Sequence, residues 1–391
     1  MDRARRDDCV LVLQGGGALG AYQAGVLEAL SAEGIEPNWV TGISIGSINC
    51  ALIAGNAREK RVERLRDFWT LVSSAVPEPG WKSDGEWRAA LTSLSALQAL
   101  LFGVPGFFTP RVPPAPLQPP GSVAARSYYD TAPLRSTLKR LVDFDRINAG
   151  EMRLSVGAVN VRTGNLTYFD SVTQRLDVRH VMASAALPPG FPPVEIDGEY
   201  YWDGGVASNT PLNYVLAQPG AGHRTVFQVD LFPARGELPE TIARVTEREK
   251  DIRYSSRTRL NTDVDVARRR TAAAAARLME KLPAGLRADP DAQQVLALLR
   301  ATSTSLDIVH LIYRAKQYEG HAKDYEFSRW TMLEHWAAGR ADVLQTLHDP
   351  RWTGRGPAEP YGVRVFDLVE PERTAAVAAA TSNGALSYET A

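Results

Sequence analysis

The sequence predicts an α/β protein built on a parallel sheet, and three observations carry that expectation. Residues 9–14 (Cys-Val-Leu-Val-Leu-Gln) form a nearly continuous apolar run stopped by three glycines, as in a strand buried on both faces. Residues 20–33 then carry Tyr22, Val26, Leu27 and Leu30 at helical spacing, with Gly34 at the expected stop. A second strand over 38–43 runs into Gly42-Ile43-Ser44-Ile45-Gly46 and a helix-like stretch over 47–54. Strand, turn and helix repeated within so short a span is the pattern of a parallel α/β sheet.

The later elements follow the same logic. Residues 58–102 read as mostly helical, and 105–120 hold seven prolines, which excludes a regular helix or a central strand and predicts an extended surface loop or lid. Leu100-Leu101-Phe102 and Phe107-Phe108 border that loop; they either cap the core or form a greasy entrance for an acyl chain. Strands are expected over 153–161 and 165–169 across a Thr-Gly turn, then a helix over 177–186. A hairpin pairs 194–196 with 199–202 about Asp197-Gly198, a strong turn dipeptide, and delivers the chain to Asp203-Gly204-Gly205. Residues 225–231 are a further buried strand.

Beyond about residue 235 the composition turns charged and Ala-rich. Helices are expected over 240–282 and 291–300, a strand over 307–313, and a long helix over 325–347 whose Phe327, Trp330, Met332, Leu333 and Trp336 make a core stripe. These features divide the 391 residues into a catalytic domain over 1–235, a mainly helical extension over 236–371, and a flexible tail over 372–391.

Charge and cysteine content narrow the function. With 44 Lys plus Arg against 45 Asp plus Glu, the formal charge is −1, and no cationic cluster suited to nucleic acid is present. Cys9 and Cys50 are the only cysteines, so a disulfide framework and paired-cysteine zinc sites are excluded, and a reducing compartment fits. The basic start is interrupted by Asp7 and Asp8, unlike a signal peptide, and no run of 18 apolar residues appears. The expectation is a cytoplasmic protein, with peripheral membrane contact left open.

Three short stretches carry chemistry. Gly42-Ile43-Ser44-Ile45-Gly46 is a G-x-S-x-G pentapeptide set between a buried strand and a helix, the context a nucleophile elbow requires. Gly15-Gly16-Gly17, with Gly20, lies at another strand-to-helix turn, where backbone amides can converge on an oxyanion. The same letters fit G-x-G-x-x-G, but the acid that a dinucleotide site wants at the end of a second strand is absent: Glu33 falls in a helix and Glu36 precedes Pro37. Asp203-Gly204-Gly205 places a carboxylate at a strand end. None of the histidines at 180, 223, 310, 321, 335 and 348 sits in a comparable glycine-flanked position.

Taken together, Gly15-Gly16-Gly17 with Gly20, Gly42-Ile43-Ser44-Ile45-Gly46, Ala183-Ser184-Ala185-Ala186 with Pro188, and Asp203-Gly204-Gly205 resemble the patatin-like phospholipase family over about residues 8–235. The resemblance implies a three-layer α/β/α fold and a lipid acyl hydrolase, with Ser44 as nucleophile, Asp203 as general base and residues 15–17 as oxyanion hole. Gly20, Gly42, Gly46, Gly204 and Gly205 would support these turns. The remainder looks like the extension of one bacterial subgroup, with Tyr325-Glu326-Phe327-Ser328-Arg329 its most distinctive stretch. Many family members carry Arg or Lys where this sequence has Leu19, which shifts the expectation from anionic phospholipid toward neutral esters.

The scheme calls for no metal and no cofactor. Two alternatives stand beside it: an α/β-hydrolase triad with a distant histidine, and a catalytically quiet lipid-binding protein.

Overall fold

A computed structural model describes residues 7–77, 85–220, 222–255, 258–301, 304–316, 318–359 and 361–368. The expected tail over 372–391 lies outside them. In chain order the first half comprises β1 (Asp8–Leu13), α1 (Ala21–Ala32), β2 (Trp39–Gly42), α2 (Ile45–Ala54), α3 (Arg61–Val72), α4 (Gly85–Phe102), the short β3 (Thr109–Pro110) and β4 (Tyr129–Asp130), α5 (Ala132–Leu141), α6 (Phe144–Ala149), β5 (Arg153–Asn160) and β6 (Leu166–Asp170). The second half comprises α7 (Val178–Ser184), β7 (Val194–Ile196), β8 (Glu199–Asp203), α8 (Leu212–Ala217), β9 (His223–Asp230), α9 (Ile242–Tyr254), α10 (Thr258–Lys281), α11 (Ala284–Arg287), α12 (Pro290–Ala301), β10 (Ser305–Ile312), α13 (Arg329–His348), α14 (Pro350–Thr353) and β11 (Val363–Phe366).

Strand β1 shows why the sheet is covered on both sides. Its side chains alternate between two apolar clusters: Leu11 and Leu13 join the larger one with α1 and α2, whereas Val10 and Val12 join a smaller one with Leu212, Val215 and Leu216 of α8. The sheet runs β11-β10-β9-β1-β2-β5, parallel throughout. β6 and the β7–β8 hairpin join it antiparallel through β5. The expected three-layer α/β architecture is therefore present, as is the expected Asp197-Gly198 turn, with φ of 50° and 83°.

The region beyond residue 235 is largely helical, yet it also completes this sheet. β10 pairs with β9 over its whole length, and β11, which had no counterpart among the expected elements, pairs with β10. Helix α13 crosses α1 so closely that a Cβ on Gly25 would lie 2.0 Å from Trp336 O and one on Gly339 would lie 2.1 Å from Tyr22 O. Two facing glycines thus let the two backbones touch.

The long helix begins at Arg329, four residues later than expected, because Ser328 caps it by accepting the Thr331 amide. Met332 and Trp336 are buried as anticipated, but Leu333 is 40% exposed, so the buried stripe continues through Gly339, Val343 and Leu347 instead. Phe107 and Phe108 are buried and pack against Phe191, which settles their role as caps of the core, whereas Leu100, Leu101 and Phe102 remain exposed.

Candidate active site

Sheet register brings Ser44 and Asp203 together. Along β5, residues 153–156 pair with β2 and residues 158–160 pair with β8, while 155–159 pair with β6. Since β6 occupies one edge of β5, β2 and β8 must share the other edge, end to end. β2 finishes at Gly42 opposite Val156, and β8 finishes at Asp203 opposite Ala158. Ser44, two residues past Gly42, therefore reaches the level at which β8 delivers its carboxylate. Gly157 lies at this junction, where a Cβ would come within 2.4 Å of Ile43 Cδ1, and one on Gly204 would come within 2.7 Å of Gly157 O.

Ser44 occupies a sharp, left-handed backbone conformation, with φ 56° and ψ −125°. Such geometry in a non-glycine residue costs of order 1–3 kcal/mol and persists only where the surroundings enforce it. The surroundings are specific. A Cβ on Gly42 would lie 2.3 Å from Gly46 C, and one on Gly46 would lie 2.3 Å from Leu13 O, so the elbow closes only with glycine at both positions. The Ser44 amide donates to Ser184 O at 3.1 Å and Ser184 Oγ at 3.2 Å, and the Asp203 amide donates to Ala186 O at 3.0 Å. The Ala183–Ala186 stretch, which spans the C-terminal end of α7, thus holds both residues by their backbones.

Asp203 is buried, with 1% of its surface exposed. Its Oδ1 accepts the Gly205 amide at 2.7 Å, and its Oδ2 is buried with no hydrogen-bond partner among the described residues. Burial pushes its pKa up to about 7, against the opposing pull of the Ser44 hydroxyl and the Gly205 amide. The Ser44 hydroxyl lowers the value as a hydrogen-bonding neighbour, which sets it beside the carboxyl. A carboxylate so placed, with a pKa near neutrality, can accept a proton from a neighbouring hydroxyl.

The glycine loop is fixed by a buried polar chain. Trp69 Nε1 donates to Asn49 Oδ1 at 3.1 Å, Asn49 Nδ2 to Gln23 Oε1 at 2.9 Å, and Gln23 Nε2 to Gln14 O at 2.7 Å. Gln14 Oε1 in turn accepts the Leu231 and Phe232 amides. Of the three glycines expected to supply donors, Gly15 is already engaged, donating its amide to Asn209 O at 3.1 Å and accepting Asn209 Nδ2 on its carbonyl at 2.9 Å. Its contribution is closeness, since a Cβ there would lie 3.0 Å from Ser44 Cβ. The amides of Gly16 and Gly17 donate to no acceptor among the described residues and remain available to an oxyanion. Gly20 packs against Ile45, where a Cβ would lie 2.5 Å from Cγ1.

Leu19 is fully buried in the core. Gln14, Asn209, Ser184 and Gly157 were not singled out from the sequence for these roles. Gln14 had one usable signal, a polar residue ending an otherwise apolar strand directly before the glycines.

No histidine meets either Ser44 or Asp203 among the described residues. His180 closes a capping box with Asp177, and His335 faces Glu319. His223 faces Asp307 near the opposite ends of the parallel strands.

A family profile described as Patatin-like phospholipase matches residues 11–216, more than half of the chain. The chain belongs to the patatin-like phospholipase family. Members of this family are lipid acyl hydrolases, enzymes that cleave carboxylic esters. A second profile, described as Patatin phospholipase, matches residues 252–359, so the patatin-like assignment reaches into the helical region as well. The patatin-like chain is similar to the crystal structure of VipD from Legionella pneumophila at 14% identity, covering 88% of this chain and 67% of that one with a TM-score of 0.36. It is also similar to full-length ExoU of Pseudomonas aeruginosa, solved with SpcU, at 16% identity, covering 67% of this chain and 52% of that one with a TM-score of 0.28. The chain thus spans about half the length of ExoU. Comparison with curated proteins gives no match.

Proposed function

We propose that this patatin-like protein hydrolyses carboxylic esters of lipids through a Ser44–Asp203 dyad and an acyl-enzyme. The observation that carries the reading is Asp203 itself, a buried carboxylate whose pKa lies near 7 and whose neighbouring side chain is the strained Ser44. In the first half-reaction Asp203 takes the Ser44 proton as Oγ bonds to the ester carbonyl carbon, and the Gly16 and Gly17 amides hold the oxygen that becomes negative. Collapse breaks the carbon–oxygen bond to the alcohol, which leaves with the proton from Asp203. Water then repeats the sequence: Asp203 accepts its proton, the hydroxide oxygen bonds to the acyl carbon, and Ser44 departs with the proton. The partners of His180, His223 and His335, which are neither Ser44 nor Asp203, favour this dyad over a triad that uses any of the three.

The substrate is an ester of a lipid or a small lipid-like acid, and the site is reached from a peripheral membrane contact on the cytoplasmic side. Helix α4 supports that contact: Trp87, Leu94, Leu97, Leu101 and Phe102 are exposed, and no charged residue occurs between Ala89 and Pro110. No helix among the described residues is long and apolar enough to cross a membrane.

A fluorophosphonate probe tests the chemistry directly, because only an activated serine reacts. Wild-type protein should label and Ser44→Ala should not; folded wild-type protein that fails to label would sink the hydrolase reading in favour of a quiet lipid-binding protein. Chain-length profiling with chromogenic esters beside a phospholipid release assay then identifies the substrate class.

A further inference from the structure

The glycine loop has an outer wall that comes from the far end of the chain. Ala18 donates its amide to Asp324 O at 2.7 Å, and a Cβ on Gly17, where φ is 54°, would lie 2.0 Å from that same oxygen. The Asp324 backbone therefore rests directly on the loop that carries the free Gly16 and Gly17 amides. The ion pairs of this wall are made with residues beyond 216.

It is held by α9. The Lys250 ammonium pairs with the Asp324 carboxylate and donates to His321 O at 2.9 Å. One residue earlier, Lys323 is completely buried, 2.7 Å from Asp251 Oδ1 and 3.6 Å from Glu247 Oε1, both on α9. Further back, Glu319 accepts the Tyr313 hydroxyl at 2.6 Å and faces His335 of α13 at 3.4 Å. The C-terminal end of α9 also holds two residues that anchor the loop, since Tyr254 O accepts Gln14 Nε2 at 3.1 Å and Asn209 Nδ2 at 3.2 Å. One helix thus bonds both to the wall and to the residues that anchor the loop.

We infer that residues 319–325 and α9 form a clamp that positions the glycine loop for oxyanion binding, with Lys250 as its positioning residue. Lys250 fixes Asp324, the Asp324 carbonyl occupies the Ala18 amide, and the Gly16 and Gly17 amides between Gly15 and Ala18 are left without an acceptor among the described residues. Preorganised donors lower a barrier only while they stay aimed at the charge that develops, so loosening the wall should slow turnover and spare substrate binding. This gives the region beyond residue 235 a part in catalysis, and it rests on the hydrolase reading above.

Lys250 is the residue to change, because its side chain is 19% exposed and its loss leaves the fully buried Lys323 cluster intact. In Lys250→Met, kcat on a chromogenic ester should fall about tenfold with KM within about twofold, and Lys250→Arg should recover most of the loss. Hydrogen exchange at the Ala18 amide should quicken in Lys250→Met while the amides of β1 and β9 are unchanged. Replacing Ala18 by its α-hydroxy acid, which deletes that one donor, should reproduce the kcat loss. A folded Lys250→Met protein with kcat within about twofold of wild type overturns the clamp, as does unchanged exchange at Ala18. If wild-type protein is neither labelled by fluorophosphonate nor active on esters, the hydrolase reading fails, and the exchange measurement alone then decides the clamp.

Discussion

Two aspartates end antiparallel strands on opposite edges of β5, both 1% exposed, and they have opposite characters. Asp170, at the end of β6, meets Arg153 at 2.7 Å, Ser155 Oγ at 2.7 Å, the Tyr214 hydroxyl at 2.8 Å and the Val172 amide at 3.0 Å. Burial raises its pKa, but these donors outweigh burial and hold it below the ordinary carboxylate value. Asp203, at the end of β8, has the Gly205 amide and the Ser44 hydroxyl, and burial wins. Depth alone therefore identifies nothing; the partner set separates a structural charge from a base.

The largest effect expected from this contrast is on turnover. Ser44→Ala and Asp203→Asn should each lower kcat by about a thousandfold or more, since one removes the nucleophile and the other the proton acceptor. Asp170→Asn should keep kcat within about threefold. Steady-state rates on one chromogenic ester suffice, and comparable losses at both aspartates would erase the distinction.

Stability should respond with opposite signs. Asp170→Asn leaves Arg153 without its counter-charge and should cost about 3 kcal/mol. Asp203→Asn removes a carboxylate that pays a burial penalty without a cation, and keeps an oxygen for the Gly205 amide. A folded pKa about three units above the unfolded value corresponds to roughly 4 kcal/mol of destabilisation by the ionised form. Because the folded state binds the proton more tightly, that penalty is absent below the unfolded pKa near 4, grows as pH rises, and is complete above about 7. Urea unfolding at pH 8 should show Asp203→Asn more stable than wild type, with the gap closing near pH 4.

The same group sets the rate profile. With Asp203 needed as a base, kcat/KM should fall about tenfold per unit below pH 7 and level off above it. A flat profile between pH 5 and 8 would place the base elsewhere.

Much of this was legible in the sequence, for physical reasons that also explain what was not. Tight strand-to-helix turns must be made of glycine, so Gly42, Gly46 and the 15–17 loop stood out, and the apolar runs before them marked the strands. Asp203 was visible because a hairpin turn and two glycines framed it. Its difference from Asp170 was not, because Arg153, Ser155 and Tyr214 are gathered by pairing of β5 with β6 and by packing of α8, across 61 residues of chain. Gly15 was read as a donor, and only tertiary structure shows its amide spent on Asn209. The clamp was least legible: β10 and β11 enter the sheet from beyond residue 235, and the contact between Asp324 and Ala18 is made by backbone atoms that no side-chain pattern announces.

The smallest effect tests whether Ser44, like Asp203, is held at a cost. Its φ of 56° disfavours any residue with a Cβ, so Ser44→Gly should relieve the strain, about 1–3 kcal/mol, and lose part of the gain to the greater freedom of glycine in the unfolded chain, about 0.5–1 kcal/mol. A net stabilisation of about 1 kcal/mol is expected. Ser44→Ala separates backbone from hydroxyl, since it keeps the Cβ and loses only Oγ. The backbone anchors, from the Ser44 amide to Ser184 and from Ser47 Oγ to Ser44 O, survive in both variants. Urea midpoints should therefore rank Gly above Ala, with Asp170→Asn below wild type. If Gly and Ala unfold together, the elbow carries no strain, and the penalty at this site resides in the Asp203 carboxylate alone.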